Sequence, residues 1–129
     1  MPCTILLVDD SQTIRNIIKV HLMGLDFNFI EADGGFEALK LLQTSTVVLI
    51  IADINMPGMD GLSFVRRVRL DERPLVRQIP IILLTSNKLD SDRAGGLAAG
   101  ANAFLKKPVA SSNLLMAVRQ FVRPTTASK

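Results

Sequence analysis

The sequence predicts an α/β domain, a doubly wound five-stranded parallel sheet of (βα)5 type. Three observations carry this prediction. Residues 5–8, 47–51, 81–84 and, more weakly, 103–105 are apolar without alternation, as strands covered on both faces are. Between these runs the apolar spacing becomes helical. The chain has 129 residues, enough for one buried core and too few for two. Alternating strands and helices imply parallel pairing, right-handed crossovers and helices on both faces.

The elements follow in order. The run at 5–8 is the first strand, and Ser11 is a plausible N-cap for a helix whose stripe is Ile14, Ile17, Ile18, Leu22 and Leu25. Residues 27–30 alternate in part and suit a less covered edge strand. After Asp33-Gly34-Gly35 comes a second stripe, Phe36, Leu39 and Leu42. The strand at 47–51 leads to a third helix after Asp60-Gly61, with Leu62, Val65 and Val68 in its stripe. The strand at 81–84 precedes a fourth helix over residues 89–100, weakened by the adjacent Gly95 and Gly96. Residues 103–105 form the last strand, and Leu114, Leu115, Val118, Phe121 and Val122 the last stripe, ended by Pro124. Residues 3–123 are read as the domain and residues 124–129 as a polar tail.

Composition excludes several classes. Hydrophobic residues make up 48% and charged residues 21%, which is the balance of a folded chain and not a disordered one. Mean hydropathy is +0.31, yet the longest apolar run, residues 47–52, is only six residues. A membrane span needs roughly 20. Asp9 and Asp10 come too early for a secretory leader, so a cytoplasmic location without a membrane partner is expected. One cysteine, Cys3, and one histidine, His21, exclude an internal disulfide and a zinc cage. His21, at the edge of the first stripe, reads as a packing residue. The net charge is +3. Arg66, Arg67, Arg69, Arg73 and Arg77 cluster, but Asp71 and Glu72 interrupt them, so they read as a solvated helix face and its following loop. No Trp or Tyr is present to stack bases, and no nucleic-acid partner is expected.

Doubly wound sheets place their sites at the carboxyl ends of the strands. Here the first strand ends in Asp9-Asp10, the third in Asp53, the fourth in Thr85-Ser86 and the fifth in Lys106-Lys107-Pro108. In the order 2-1-3-4-5, strands one and three are neighbours, about 5 Å apart. Three carboxylates would face one another there, and their repulsion calls for a cation. Hard oxygen ligands in a partly hydrated site favour Mg2+. A metal and an ammonium together suit a phosphoryl group, and a carboxylate can attack phosphorus to give an acyl phosphate. Asp53, the single central acid, is the candidate nucleophile, and Asp9 and Asp10 are the candidate metal holders.

Val8-Asp-Asp-Ser11, Asp53-Ile-Asn-Met-Pro-Gly-Met-Asp-Gly-Leu62, Leu83-Leu-Thr-Ser86, Ala99-Gly-Ala101 and Lys107-Pro108 occur in that order. The chain thereby resembles the bacterial response-regulator receiver domain, in its CheY-like single-domain form, over roughly residues 3 to 123. The resemblance implies that Asp53 takes a phosphoryl group from the phosphohistidine of a sensor histidine kinase or a histidine phosphotransfer protein. It implies Asp10 as the direct Mg2+ ligand, Asp9 as a ligand through water, and the Asn55 backbone carbonyl as a further ligand. It gives Thr85 and Lys107 the phosphoryl oxygens, excludes Lys106, and makes the Lys107–Pro108 bond cis. Phe104 stands where the family has a switching Tyr or Phe, so Thr85 and Phe104 are the implied switch pair. Met56 and Met59 would cover the site loop. Asn55 and Asn87 would influence loss of the phosphate. Output would pass to a target protein through the fourth helix, fifth strand and fifth helix, most simply a chemotaxis or motility target.

Three rivals are weighed against this reading. An aspartate-based phosphohydrolase of the haloacid dehalogenase type needs a second acid two residues after the nucleophile, where this chain has Asn55, and puts its nucleophile after the first strand. A flavodoxin needs a phosphate-binding loop where this chain has Asp9-Asp10. A receiver belonging to a longer regulator would carry the same motifs, and no enzymatic activity toward other molecules is expected.

Overall fold

The computed structural model describes residues 3–86 and 90–122. The strands are β1 (Cys3–Val8), β2 (Phe27–Ala32), β3 (Leu49–Asp53), β4 (Ile81–Thr85) and β5 (Ala103–Lys106). They form one sheet in the order β2-β1-β3-β4-β5, and every pairing is parallel. The helices are α1 (Gln12–His21), α2 (Gly35–Thr44), α3 (Gly61–Arg69), α4 (Pro74–Arg77), α5 (Asp90–Ala99) and α6 (Ser111–Phe121). The expected fold class and strand order are therefore observed.

The sheet divides two apolar layers. Ile5, Leu7, Leu49, Ile51, Ile82 and Leu84 point toward α1 and α6, where Ile18, Leu22, Leu114 and Val118 meet them. Leu6, Val8, Ile50, Ala52, Ile81 and Leu83 point the other way, toward Ala38, Leu42, Phe64, Val65 and Val68 of α2 and α3. Consecutive strand residues thus serve opposite layers, as the two-residue period requires. All five residues of β3 and all five of β4 are buried, which is why these segments lack polar alternation.

Several boundaries and faces differ from the sequence reading. β2 extends to Ala32 and pairs with β1 over six positions. Val47 and Val48 precede β3. The Val48 N–H donates to the Thr4 carbonyl at 2.9 Å, so these two residues lead into the strand. A sixth helix, α4, occupies part of the expected loop. Pro74 opens it, and the Asp71 carboxylate accepts from the Arg73 N–H at 2.8 Å just before it. One turn is too short to show a period. Ile17 (42% exposed) and Phe36 (60% exposed) leave their expected stripes. Each stands one residue, about 100°, off the buried row: Arg15 and Ile18 in α1, and Gly35, Ala38 and Leu42 in α2. Arg69 is not on a solvated face. Its guanidinium donates to the carbonyls of Gly100 (3.0 Å), Arg77 (2.8 Å) and Ile79 (2.7 Å), and to Asn102 Oδ1 (2.8 Å). Asn87 and the expected tail lie outside the described residues, and among those described no helix is long and apolar enough to cross a membrane.

Candidate functional site

Asp9, Asp10, Asp53, Asn55, Thr85 and Lys107 lie at the carboxyl edge of the sheet, whereas Phe104 sits within β5, opposite Leu83 of β4. The backbone fixes Asp9 first. Its N–H donates to the Ala32 carbonyl of β2 at 3.1 Å. Its own carbonyl accepts from Arg15 Nη1. Its carboxylate accepts from the Ser11 N–H at 2.9 Å and from Lys107 Nζ at 2.9 Å. Ser11 in turn caps α1 by accepting from the Ile14 N–H. Asp9 is 2% exposed, and all of these polar atoms are held. Asp10, by contrast, is exposed, and among the described residues its carboxylate has no hydrogen-bond or ionic partner.

Asp53 ends β3 at the centre of the sheet and is 6% exposed. One carboxylate oxygen accepts from the Asn55 N–H at 3.2 Å, and the other lies 3.3 Å from Lys107 Nζ. The loop beyond it turns back on the strand, with the Ile54 N–H donating to Leu84 and the Gly61 N–H to Ile54. Gly61 has no substitute here, because a Cβ would stand 2.6 Å from both the Asp53 carbonyl oxygen and the Ile54 Cα. Gly58 adopts φ +82° in the same loop, a conformation that favours glycine. Met56 and Met59 are both buried beneath the loop, and Met59 rests on Gly35.

Carboxylate oxygens of Asp9, Asp10 and Asp53 lie within 4.8 Å of one another. One ammonium, Lys107, serves two of them. Burial pushes the Asp53 carboxyl above the usual carboxylate range; Lys107 and the Asn55 N–H pull it partly back, and Asp9 pushes it up again. Among the described residues, three acids against one lysine leave an excess of negative charge around Asp10. Such a set of hard oxygen donors fits a small divalent cation.

Thr85 closes the other side. It is fully buried at the end of β4, and its carbonyl accepts from the Lys107 N–H at 2.7 Å. That bond sets the lysine beside the hydroxyl residue. The Lys107–Pro108 bond is cis. Lys106 and Ser86 are exposed, and among the described residues Lys107 is the lysine that reaches the acids. Phe104 is already 8% exposed. Gly96 makes this burial feasible, since a Cβ there would lie 3.1 Å from the ring and 3.0 Å from Leu83. A ring this covered has little further area to lose by turning inward.

Arg15 is the site-edge residue that the sequence reading missed. It is 8% exposed, and besides Asp9 it binds Glu31 Oε1 at 2.8 Å and Asp33 Oδ1 at 3.3 Å. Its signal was a cation on the apolar side of an amphipathic helix, six residues after the first acid of the pair.

Known proteins match this chain and its fold. Residues 5–119 match the response regulator receiver domain model, and the chain belongs to that family. It is 39% identical to the chemotaxis protein CheY of Pseudomonas aeruginosa over 81% of this chain and 83% of that protein. It is 36% identical to the response regulator MprA of Mycolicibacterium vanbaalenii over 98% of this chain, spanning only 53% of that protein's length. Among solved structures, the receiver domain of sensor histidine kinase PA1611 from Pseudomonas aeruginosa superposes with a TM-score of 0.83 at 30% identity, covering 94% of this chain and 98% of that one. That structure has a magnesium ion coordinated in its active site cleft.

Proposed function

We propose that this chain is a phosphoacceptor switch of a two-component or phosphorelay system, with Asp53 as the acceptor. The observation that carries the reading is the Asp53 carboxylate itself. It is buried at the end of the central strand, 3.3 Å from an ammonium and beside two further acids. An Asp53 oxygen attacks phosphorus, the bond from phosphorus to the donor's imidazole nitrogen breaks, and the imidazole leaves. An acyl phosphate remains on Asp53. The Lys107 ammonium and the Thr85 hydroxyl hold the phosphoryl oxygens, where developing charge is best met by fixed positive groups. Asp9, Asp10, Asp53 and the Asn55 carbonyl would hold Mg2+, which would offset the negative charge of the incoming group. Asp10 is the direct ligand because its carboxylate is uncommitted. Asp9 is already bonded to Lys107 and Ser11 and acts through water.

Domain, location and output complete the reading. Residues 3–123 form the receiver, and the protein acts in the cytoplasm with a histidine kinase or phosphotransfer protein as donor. A groove of about 520 Å³ runs along β5 between α5 and α6, with Phe104 and the exposed Leu97 and Met116 in its lining. This is the surface for the target protein. Similarity to CheY favours a chemotaxis or motility target. The match to half of MprA favours a second reading, in which the same switch serves a longer regulator.

Intact-mass measurement after incubation with acetyl phosphate and Mg2+ tests the central assignment. Wild type should gain about 80 Da, one phosphoryl group, and Asp53→Asn should gain nothing. Equal labelling of the two would overturn it. Mg2+ titration of Asp9→Ala and Asp10→Ala separates the two metal roles, with Asp10→Ala the weaker binder. Capture of a flagellar switch component by the phosphorylated protein would support the motility output, and capture of none would remove it.

A further inference from the structure

We propose that Arg15 is a positioning residue for the acidic loop, and that its forked geometry rather than its charge sets the affinity for Mg2+. The proposal rests on the phosphoacceptor reading of the site. Two neighbouring elements converge on this side chain. From α1, Arg15 reaches under the loop to the Asp9 carbonyl. From β2 and the turn after it, Glu31 and Asp33 accept two further bonds. Lys19, one turn along α1, binds the other oxygen of Glu31 at 2.8 Å. The Lys19 and Arg15 bonds hold the Glu31 carboxyl below its usual range, so this brace stays ionised at neutral pH.

The geometry explains why an arginine stands in an apolar helix face. Asp9 and Asp10 must project their carboxylates toward Asp53 from a three-residue link between β1 and α1. The Asp9 carbonyl is buried with the residue and needs a donor there, which Arg15 supplies. A planar guanidinium can satisfy that carbonyl with one nitrogen and the Glu31 carboxylate with another, in one fixed plane. An ammonium is a point charge and cannot hold both in that arrangement. The peptide orientation between Asp9 and Asp10 is thereby set by Arg15, and with it the direction in which the uncommitted Asp10 carboxylate leaves the chain.

Charge and geometry predict opposite results. A nearby cation by itself repels Mg2+, so removing it should tighten binding. A brace that aims the ligands should weaken binding when it is lost, by about tenfold as for other partners that orient metal ligands. Calorimetric titration of the full chain with Mg2+ decides, at fixed pH and ionic strength. Arg15→Lys keeps the charge and loses the fork, and Arg15→Met loses both. Leu22→Ala, at the far end of α1 and fully buried, lowers stability without touching the loop. The expected result is about tenfold weaker Mg2+ binding in both Arg15 variants and unchanged binding in Leu22→Ala. Wild-type affinity in Arg15→Lys overturns the proposal, and so does tighter binding in Arg15→Met or an equal loss in Leu22→Ala. If Arg15→Met does not fold, Arg15→Lys alone decides. Absence of Mg2+ binding by wild type would instead overturn the metal assignment of the site, and this proposal with it.

Discussion

Arg15 and Arg69 are both withdrawn from solvent, and they sit at opposite ends of the same sheet. At the carboxyl edge, Arg15 binds two carboxylates and one carbonyl. At the amino edge, Arg69 binds three carbonyls and an amide oxygen, all neutral. Asn102 Oδ1 is shared there, since it also accepts from the Ile81 N–H at 2.9 Å. The amino-edge cluster thus joins the end of α3, the link into β4 and the turn into β5, with its acceptors satisfied. The carboxyl edge is different in kind. Its brace is complete, but among the described residues three acids face one ammonium there and the Asp10 carboxylate has no partner. One end of the sheet is finished by its own residues. The other carries clustered carboxylates whose charge suits a cation.

Cutting the amino-edge clamp should have the largest effect on stability. Arg69→Met leaves the Gly100, Arg77 and Ile79 carbonyls without their donor. Each unmade bond to a buried group costs about 1–3 kcal/mol, and partial access to water reduces the sum to about 3 kcal/mol. Urea denaturation should show that loss, while acetyl phosphate labelling at saturating Mg2+ stays at the wild-type level. A large fall in labelling of the folded variant would show that the two ends are not separable. Gly61→Ala should be nearly as costly, about 2 kcal/mol for a methyl forced against backbone. Unlike the arginine variant it should also slow labelling, because the atoms it strikes belong to Asp53 and Ile54. Labelling at the wild-type rate would mean that the acceptor loop tolerates the shift.

The carboxyl edge should respond in the opposite direction when a charge is removed. Burial raises the Asp53 carboxyl above its ordinary value of 3.8. The folded chain therefore binds this proton more tightly than the unfolded chain does. Stability then falls as pH rises from the unfolded value through the raised folded one, and the penalty is complete above it. Asp53→Asn should be more stable than wild type at pH 7 in the absence of metal. Lys107 is not orphaned by the change, since Asp9 holds it at 2.9 Å. The advantage should shrink on acidification toward 3.8 and shrink also on adding Mg2+. Urea midpoints across pH, with and without the ion, check this. A variant less stable than wild type at pH 7 would mean that the Lys107 contact outweighs desolvation.

How much of this was legible depends on whether a residue follows its local pattern. The buried strands, the Asp9, Asp53, Thr85 and Lys107 positions at their ends and the Ser11 cap all do. Burial on both faces imposes unbroken apolar runs, and a site at the strand ends imposes polar residues immediately after them. Arg15 and Arg69 break the pattern of their helices, because what holds them lies outside those helices: the Asp9 carbonyl and the Glu31 and Asp33 carboxylates for Arg15, and the Gly100, Arg77 and Ile79 carbonyls for Arg69. The Asp71, Arg73 and Arg77 group showed its charge but not the one-turn helix between its members. Ile17 and Phe36 looked like core because a loose stripe does not resolve a rotation of one residue.

Between the two ends lies α5, where the adjacent glycines give the smallest effects and the sharpest contrast. A Cβ on Gly95 would meet only Leu62, at an ordinary 3.5 Å, whereas one on Gly96 would meet Leu83 at 3.0 Å and Phe104 at 3.1 Å. Alanine is favoured over glycine inside a helix by about 1 kcal/mol. Gly95→Ala should gain roughly that amount, because nothing opposes it. Gly96→Ala should gain the same helix term and lose a similar amount as Phe104 and Leu83 are displaced, for a net change near zero. Its consequence should fall on Phe104 instead, pushing the ring toward the groove along β5. Hydrogen exchange across β5, compared for the two variants, measures this. Faster exchange in Gly96→Ala alone would mean that the absent side chain at Gly96 keeps Phe104 buried before any phosphoryl group arrives. Equal exchange in both would mean that the ring keeps its place by packing against the sheet alone.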